Sequence, residues 1–220
     1  MSGTAKALVL DFGGVVTRTM FETHAHTERV LGLPGGTLTW RGPFDPDSDP
    51  LWRRMQAGEV SERDYWLTRT AETGHLIGEE WSRMEQFIGR VRSHDPEAMI
   101  RPEARAAIRA AKDAGRRVAV LSNELDLMYG AELRRNLDLF ALFDTVVDAT
   151  HTRILKPDPR AYRAVLDELG LAAADCVFVD DQERNVVGAR AVGMCTVLFD
   201  VLRPRASYDD ALNQLGLAAL

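Results

Sequence analysis

Only two cysteines, Cys176 and Cys195, occur in 220 residues. Two thiols cannot build a disulfide framework or a four-ligand zinc site, and each sits in an apolar segment that suits a small buried hydrophobe. No apolar run approaches the roughly 20 residues that span a bilayer. Positive charge is in short supply: 27 Lys and Arg stand against 33 Asp and Glu, for a net charge of −6. That balance argues against nucleic acid as a partner, because neutralising phosphates needs a basic footprint. Lysine is scarcer still, with Lys6, Lys112 and Lys156 against a background of arginines. A position that carries Lys in so Arg-rich a chain stands out. The opening MSGTAKALVLDFGG has one Lys and a short apolar run ending in Asp, a poor secretory signal. The expectation is a cytoplasmic protein with no membrane partner.

What remains is ordinary globular composition, 45% hydrophobic and 27% charged. A chain of this length buries roughly 70% of its unfolded surface, which suits one domain or one domain with an insertion. Five apolar runs predict buried strands: Lys6–Asp11, Arg117–Asn123, Phe143–Asp148, Cys176–Asp181 and Cys195–Asp200. Their Val and Leu fall on both faces, as a parallel sheet covered on both sides requires. Helical patterns alternate with them beyond residue 100. Pro102–Ala114 opens with Pro and stops at Gly115, Asp158–Leu169 stops at Gly170, and Glu183–Val192 stops at Gly193. Repeated βα units predict an α/β fold, a Rossmann-like doubly wound parallel sheet.

Residues 17–95 break that alternation. They contain no good strand and read as helices over Phe21–Leu31, Leu51–Ala57, Ser61–Thr73 and Gly78–Ser93, with a Gly/Pro/Asp loop at Gly35–Pro50. Ser61 followed three residues later by Asp64 has the form of a helix start. The division expected is a core of 1–16 and 96–220 with an inserted all-helical segment of 17–95. Trp52, Trp66 and Trp81 are expected to pack inside that segment. The pairs Arg53-Arg54 and Arg134-Arg135 are expected at the surface.

Ligands of open parallel sheets bind beyond the carboxyl ends of the strands. Those ends carry Asp11 followed by Phe12-Gly13-Gly14, then Ser122-Asn123, then Asp180-Asp181, and Lys156-Pro157 precedes the Asp158 helix. Each piece has an ordinary structural reading as a turn or a helix cap. Together, at consecutive strand ends, they form a set. Clustered carboxylates need a cation, and oxygen ligands with room for water suit Mg²⁺. A lysine and a hydroxyl alongside offer donors to an anion. That chemistry describes a phosphoryl site, in which an Asp at a sharp strand end can act as nucleophile and form an aspartyl phosphate.

In these motifs the chain resembles the haloacid dehalogenase-like (HAD) superfamily. Asp11-Phe12-Gly13-Gly14-Val15, Ser122-Asn123, Lys156-Pro157 and Asp180-Asp181 match the four family motifs in order, across residues 6 to about 199. The nearest branch holds the phosphatase domain of soluble epoxide hydrolase and bacterial sugar-phosphate phosphatases, and the helical segment resembles the family's C1 cap. The resemblance implies a Mg²⁺-dependent hydrolase of a small phosphorylated metabolite. It makes Asp11 the nucleophile and a metal ligand, with the Gly13 carbonyl and Asp181 as further ligands. Asp180 would hold the geometry from behind, and Asn185 would orient the acidic loop. Ser122 and the backbone amide of Asn123 would bind phosphoryl oxygens, while Lys156 balances charge among Asp11, Asp181 and substrate.

One departure stands out. Family phosphatases carry a second Asp two residues after the nucleophile, as general acid and base, and this chain has Gly13 there. Losing such a group typically costs 10²- to 10⁴-fold. A good leaving group could offset the loss, or Glu22, His24 or His26 of the cap could supply the proton. The alternatives are a metal-independent 2-haloacid dehalogenase and a non-catalytic module that binds a phosphorylated ligand. The pattern fits a monomer or a homodimer equally.

Overall fold

The computed structural model describes residues 4–92, 96–130, 135 and 137–220. The chain divides into two compact units, one of 1–18, 97–126 and 131–220, the other of 19–96 and 127–130.

In the first unit five strands form one parallel sheet: β1 Ala7–Leu10, β2 Arg117–Ser122, β3 Thr145–Asp148, β4 Cys176–Asp180 and β5 Cys195–Leu198, in the order β3-β2-β1-β4-β5. Their side chains show why this order forms. The three central strands are buried almost throughout, whereas the edges β3 and β5 are only half covered. One face packs Ala7, Val9, Leu121 and Phe178 against Tyr162, Val165 and Ala189. Those partners come from helices α8 Pro159–Leu169 and α9 Glu183–Ala191. The other face is covered by α5 Pro102–Asp113 and α10 Pro204–Gln214. Asp158 caps α8 by accepting from the Arg160 amide, and Gly170 ends it in the left-handed conformation. The shorter α7 Ala149–Thr152 follows β3, and α6 Leu125–Tyr129 leads from the first unit into the second.

The second unit holds α1 His24–Leu31, α2 Pro50–Gln56, α3 Glu62–Leu76 and α4 Met84–Arg92. Ser61 caps α3 through the Asp64 amide. Here α4 starts six residues later than the expected Gly78. Gly78 has φ +74°, and the Gln86 side chain accepts from the Ser82 and Arg83 amides at 3.0 and 2.9 Å, which fixes the true start. The expected end at Ser93 lies outside the described residues. Trp52 and Trp81 are buried and Trp66 is partly buried in a core of Phe21, Trp40, Met55, Tyr65 and Phe87. Arg53 and Arg54 are exposed, while Arg134 lies outside the described residues. Among the described residues, no helix is long and apolar enough to cross a membrane.

Candidate active site

The first unit gathers its polar strand ends at one edge of the sheet. Asp11 follows β1 and enters a tight loop. Gly14 takes φ +82°, a turn that favours glycine, while Gly13 sits at φ −71°, ψ 123°, open to any residue. The loop is tied down through its carbonyls. Thr17 N–H donates to Phe12 O at 3.0 Å, Arg101 Nε to Gly14 O at 3.1 Å, Tyr208 Oη to Val15 O at 3.0 Å and Arg101 N–H to Val16 O at 3.0 Å. Arg101 and Tyr208 are themselves buried, and both pack against Phe199. The backbone around Asp11 is thereby anchored before any ligand arrives.

Lys156 is the centre of the site. Its ammonium is buried and donates to Asp11 Oδ1 at 2.7 Å and Asp180 Oδ2 at 2.6 Å, above the ring of Phe178. Burial disfavours the charge, but Asp11 and Asp180 outweigh it and hold the pKa above the usual lysine range. Asp180, the last residue of β4, is fully buried. Its Oδ1 accepts from Gln182 N–H at 2.8 Å and Asn185 Nδ2 at 3.0 Å, and Oδ2 also lies 3.1 Å from Asn185 Nδ2. So engaged, Asp180 serves Lys156 and the loop. The sequence leads to an expectation that Lys156 balances charge among Asp11, Asp181 and substrate; in the structure its ammonium bonds Asp11 and Asp180. Asp181 follows it, half buried, and Asp11, Asp180 and Asp181 each bring an oxygen within 4.8 Å of the others.

Ser122 ends β2, buried and in register with Asp148 of β3. The next residue, Asn123, turns its side chain to the lysine loop: Oδ1 accepts from Lys156 N–H at 2.7 Å and Nδ2 donates to Lys156 O at 3.2 Å. Asp148 escaped the sequence reading as a site residue, although it ends a strand as Asp11 and Asp180 do. It accepts from the amides of Leu125, Asp126 and Thr150 at 3.2, 2.9 and 2.9 Å, fixing the segment after Asn123. Asp126, Asp148 and His151 also bring ligand atoms within 4.8 Å of one another, with Asp126 Oδ2 2.6 Å from His151 Nε2. The amides that Asp148 accepts give it a structural explanation. Another contact without a sequence signal is Gly188 of α9, where a Cβ would meet Pro157 Cβ and Tyr162 Oη at 2.8 Å.

Asp11, Asp180 and Asp181 gather their oxygens beside the Lys156 ammonium. Every donor is a hard oxygen, and this fits a divalent ion of the Mg²⁺ kind.

A family model described as haloacid dehalogenase-like hydrolase matches residues 5–193. The chain belongs to that family. Among its relatives is a phosphatase of Mycobacterium tuberculosis, 38% identical over 198 residues, covering 88% of this chain and 87% of that one. An (S)-2-haloacid dehalogenase of Burkholderia cepacia is 29% identical, with 88% and 79% covered. A solved dehalogenase shares the fold at a TM-score of 0.63 and 23% identity, over 96% of this chain and 92% of its own. This haloacid dehalogenase-like hydrolase therefore has relatives named for two chemistries.

The residues offered from the second unit as proton donors have defined surroundings there. Glu22 Oε2 accepts from Thr19 N–H and Oγ1 at 2.8 and 2.9 Å. His26 Nε2 lies 3.1 Å from Val91 O. His24 is buried against Phe21 and Trp40, its ring 4.2 Å from the Trp40 centroid. Burial, then the Arg41 cation, lowers its pKa to about 4.

Proposed function

We propose that this hydrolase is a Mg²⁺-dependent phosphatase that cleaves a small phosphomonoester through an aspartyl phosphate on Asp11. The observation that carries the reading is the gathering of Asp11, Asp180 and Asp181 beside Lys156. Attack on a carbon–halogen bond needs one carboxylate and no metal, and it leaves the gathering of Asp181 and Asp180 beside Asp11 without a role. A divalent cation beside a phosphoryl group uses that oxygen cluster. The relative at 38% identity being named a phosphatase leans the same way.

In this reading Asp11, Asp181 and the Gly13 carbonyl would hold Mg²⁺, which when bound would offset charge on the phosphoryl group. Lys156 fixes Asp11 Oδ1 and so directs the second carboxylate oxygen toward phosphorus. Ser122 and the Asn123 amide bind non-bridging oxygens. An oxygen of Asp11 forms a bond to phosphorus as the ester P–O bond breaks, and the leaving oxygen takes a proton from solvent water. Water then cleaves the acyl phosphate, releasing inorganic phosphate and restoring Asp11. Residues 17–95 are the C1 cap in this scheme.

Gly13 makes the leaving group decisive. Without an acid at that position, turnover falls steeply as the leaving-group pKa rises. The test is phosphate release from aryl and alkyl phosphates of graded leaving-group pKa, with Mg²⁺ and with EDTA. We expect Mg²⁺-dependent turnover that favours the best leaving groups, and a flatter dependence in Gly13→Asp, whose backbone accepts the new side chain. Folded protein with no Mg²⁺-dependent release would overturn the reading, and chloride release from 2-haloacids that survives EDTA would replace it with dehalogenation.

A further inference from the structure

We infer that the side chain of Asn123 is a positioning residue for Lys156, so that one residue sets both the anion-binding turn and the placement of the ammonium. The inference deepens the phosphatase reading and rests on it for its kinetic consequences.

The geometry is that of a backbone pair made by a side chain. Asn123 Oδ1 accepts from the amide of Lys156 at 2.7 Å, and Asn123 Nδ2 donates to the carbonyl of the same residue at 3.2 Å. Both polar groups of one primary amide are spent on one residue, 33 positions away in sequence. Asn123 stands directly after Ser122, the last residue of β2, whose position the sheet fixes. Lys156 lies on the connection between α7 and α8, outside the sheet. The amide clamp carries the register of β2 across to that connection.

The placement matters because the ammonium has two fixed targets. Asp11 and Asp180 lie 2.7 and 2.6 Å from Nζ and end two different strands. The Lys156 side chain is 1% exposed, so a backbone shift there must be taken up by a confined side chain that serves both carboxylates. Asp180 is held from its other side by Gln182 and Asn185, so Asp11 is the partner that loses its cation first. Asp11 Oδ1 then loses the bond that holds it at 2.7 Å.

The chain offers a direct readout, because Lys6 and Lys112 are its other lysines. Their side chains are 59% and 31% exposed, against 1% for Lys156. Amine acetylation followed by peptide mass spectrometry therefore reports on Lys156 with internal controls. In Asn123→Ala we expect labelling of Lys156 to quicken by about tenfold, as two hydrogen bonds that oppose local opening are lost. Labelling of Lys112 stays at the wild-type rate. On the best phosphate ester, kcat falls by about tenfold or more while KM moves less than about threefold. Asn123→Asp keeps the acceptor for Lys156 N–H and loses the donor, so its Lys156 labelling falls between wild type and Asn123→Ala.

Unchanged Lys156 labelling in Asn123→Ala would overturn the inference, as would equal acceleration at Lys112, which would report general loosening. A fall in binding without a fall in kcat would also overturn it. Should the wild-type protein hydrolyse no phosphate ester, the phosphatase reading fails separately, and the labelling series alone decides the clamp.

Discussion

In each unit a fully buried carboxylate is surrounded by donors. In the first unit it is Asp180, held by Lys156, Gln182 N–H and Asn185. In the second it is Asp49, whose Oδ1 accepts from Trp52 N–H at 2.9 Å and Arg69 Nη2 at 2.5 Å. Its Oδ2 accepts from Gly42 N–H at 3.2 Å and Tyr65 Oη at 2.8 Å. The cations make the difference. Arg69 lies over the rings of Trp40 and Tyr65 and bonds Asp49 in the unit's interior and Glu72 at the rim. Lys156 divides its charge between Asp180 and Asp11, with Asp181 close by. The Arg69 network packs an interior among aromatic rings; the Lys156 network gathers oxygens that could hold a cation. The rare Lys stands where a compact point charge must serve two carboxylates, and the common Arg stands where a planar fork and an aromatic stack do the packing.

Breaking both networks should separate these roles. Asp11→Asn removes the proposed nucleophile and half of the lysine's counter-charge. Phosphate release is expected to drop by roughly 10³-fold or more, with Mg²⁺-dependent thermal stabilisation reduced as a carboxylate leaves the ligand set. Activity assays and melting curves with and without Mg²⁺ check this, and wild-type turnover in Asp11→Asn would remove that residue from the chemistry.

Asp49→Ala addresses the other network. It strands a buried guanidinium and leaves Tyr65, Gly42 and Trp52 N–H without their acceptor. A loss of about 3–5 kcal/mol is expected in denaturant unfolding, larger than that of any exposed pair such as Arg53 with Asp47. If the loss stays below about 1 kcal/mol, the network is no more than a surface-grade pair.

The difference between the networks also explains what the sequence could disclose. The sheet was legible because strands buried on both faces leave continuous runs such as Ala7–Leu10 and Cys176–Asp180. The clustering of Asp11, Lys156, Asp180 and Asp181 was legible because strand ends of a parallel sheet share an edge. Asp148 was missed because its partners are backbone amides, which no motif encodes. The order in which Lys156 chooses Asp180 needed distances. Gly188 was hidden inside a good helix, since close approach to Pro157 is a property of the fold. Helix α10 carries no long apolar run; it is defined by Tyr208, Ala211 and Leu212 turned inward at helical spacing. In the second unit the helices were visible, but α4 was drawn too long because a side-chain cap at Gln86 competes with the apolar pattern.

The second unit should also be the acid-sensitive one. His24 is buried, and among the described residues neither ring nitrogen has a hydrogen-bond partner. Arg41 and Arg69 oppose its protonation, and Glu28 and Asp49 favour it by less than burial and Arg41 disfavour it. Its pKa of about 4 in the fold lies below the ordinary value of 6.5. Unfolding therefore takes up a proton between those values. The stabilisation is complete above pH 6.5, declines as pH falls toward 4, and is constant below that. The full span is at most about 3 kcal/mol. Melting temperatures at pH 7 and pH 5 should differ less in His24→Leu than in wild type; equal pH sensitivity in the two would show that another group sets it.

The smallest effects come from two glycines in helix interiors, and here the units should respond with opposite signs. Alanine normally stabilises such a position by up to about 1 kcal/mol. At Gly89 of α4 a Cβ meets nothing within 4 Å, so Gly89→Ala should raise the melting temperature. At Gly188 of α9 the Cβ would press on Pro157 Cβ and Tyr162 Oη at 2.8 Å and on Pro157 O at 3.0 Å. The backbone of Pro157 is no flexible side-chain tip, so overpacking of about 1–3 kcal/mol outweighs the helix gain. The displaced segment begins one residue after Lys156, so Gly188→Ala should lower kcat together with stability, whereas Gly89→Ala leaves kcat alone. Paired melts and initial rates decide it: a stabilised Gly188→Ala with full activity would mean that the lysine loop yields freely, and that its tight seat on α9 plays no part in placing the ammonium.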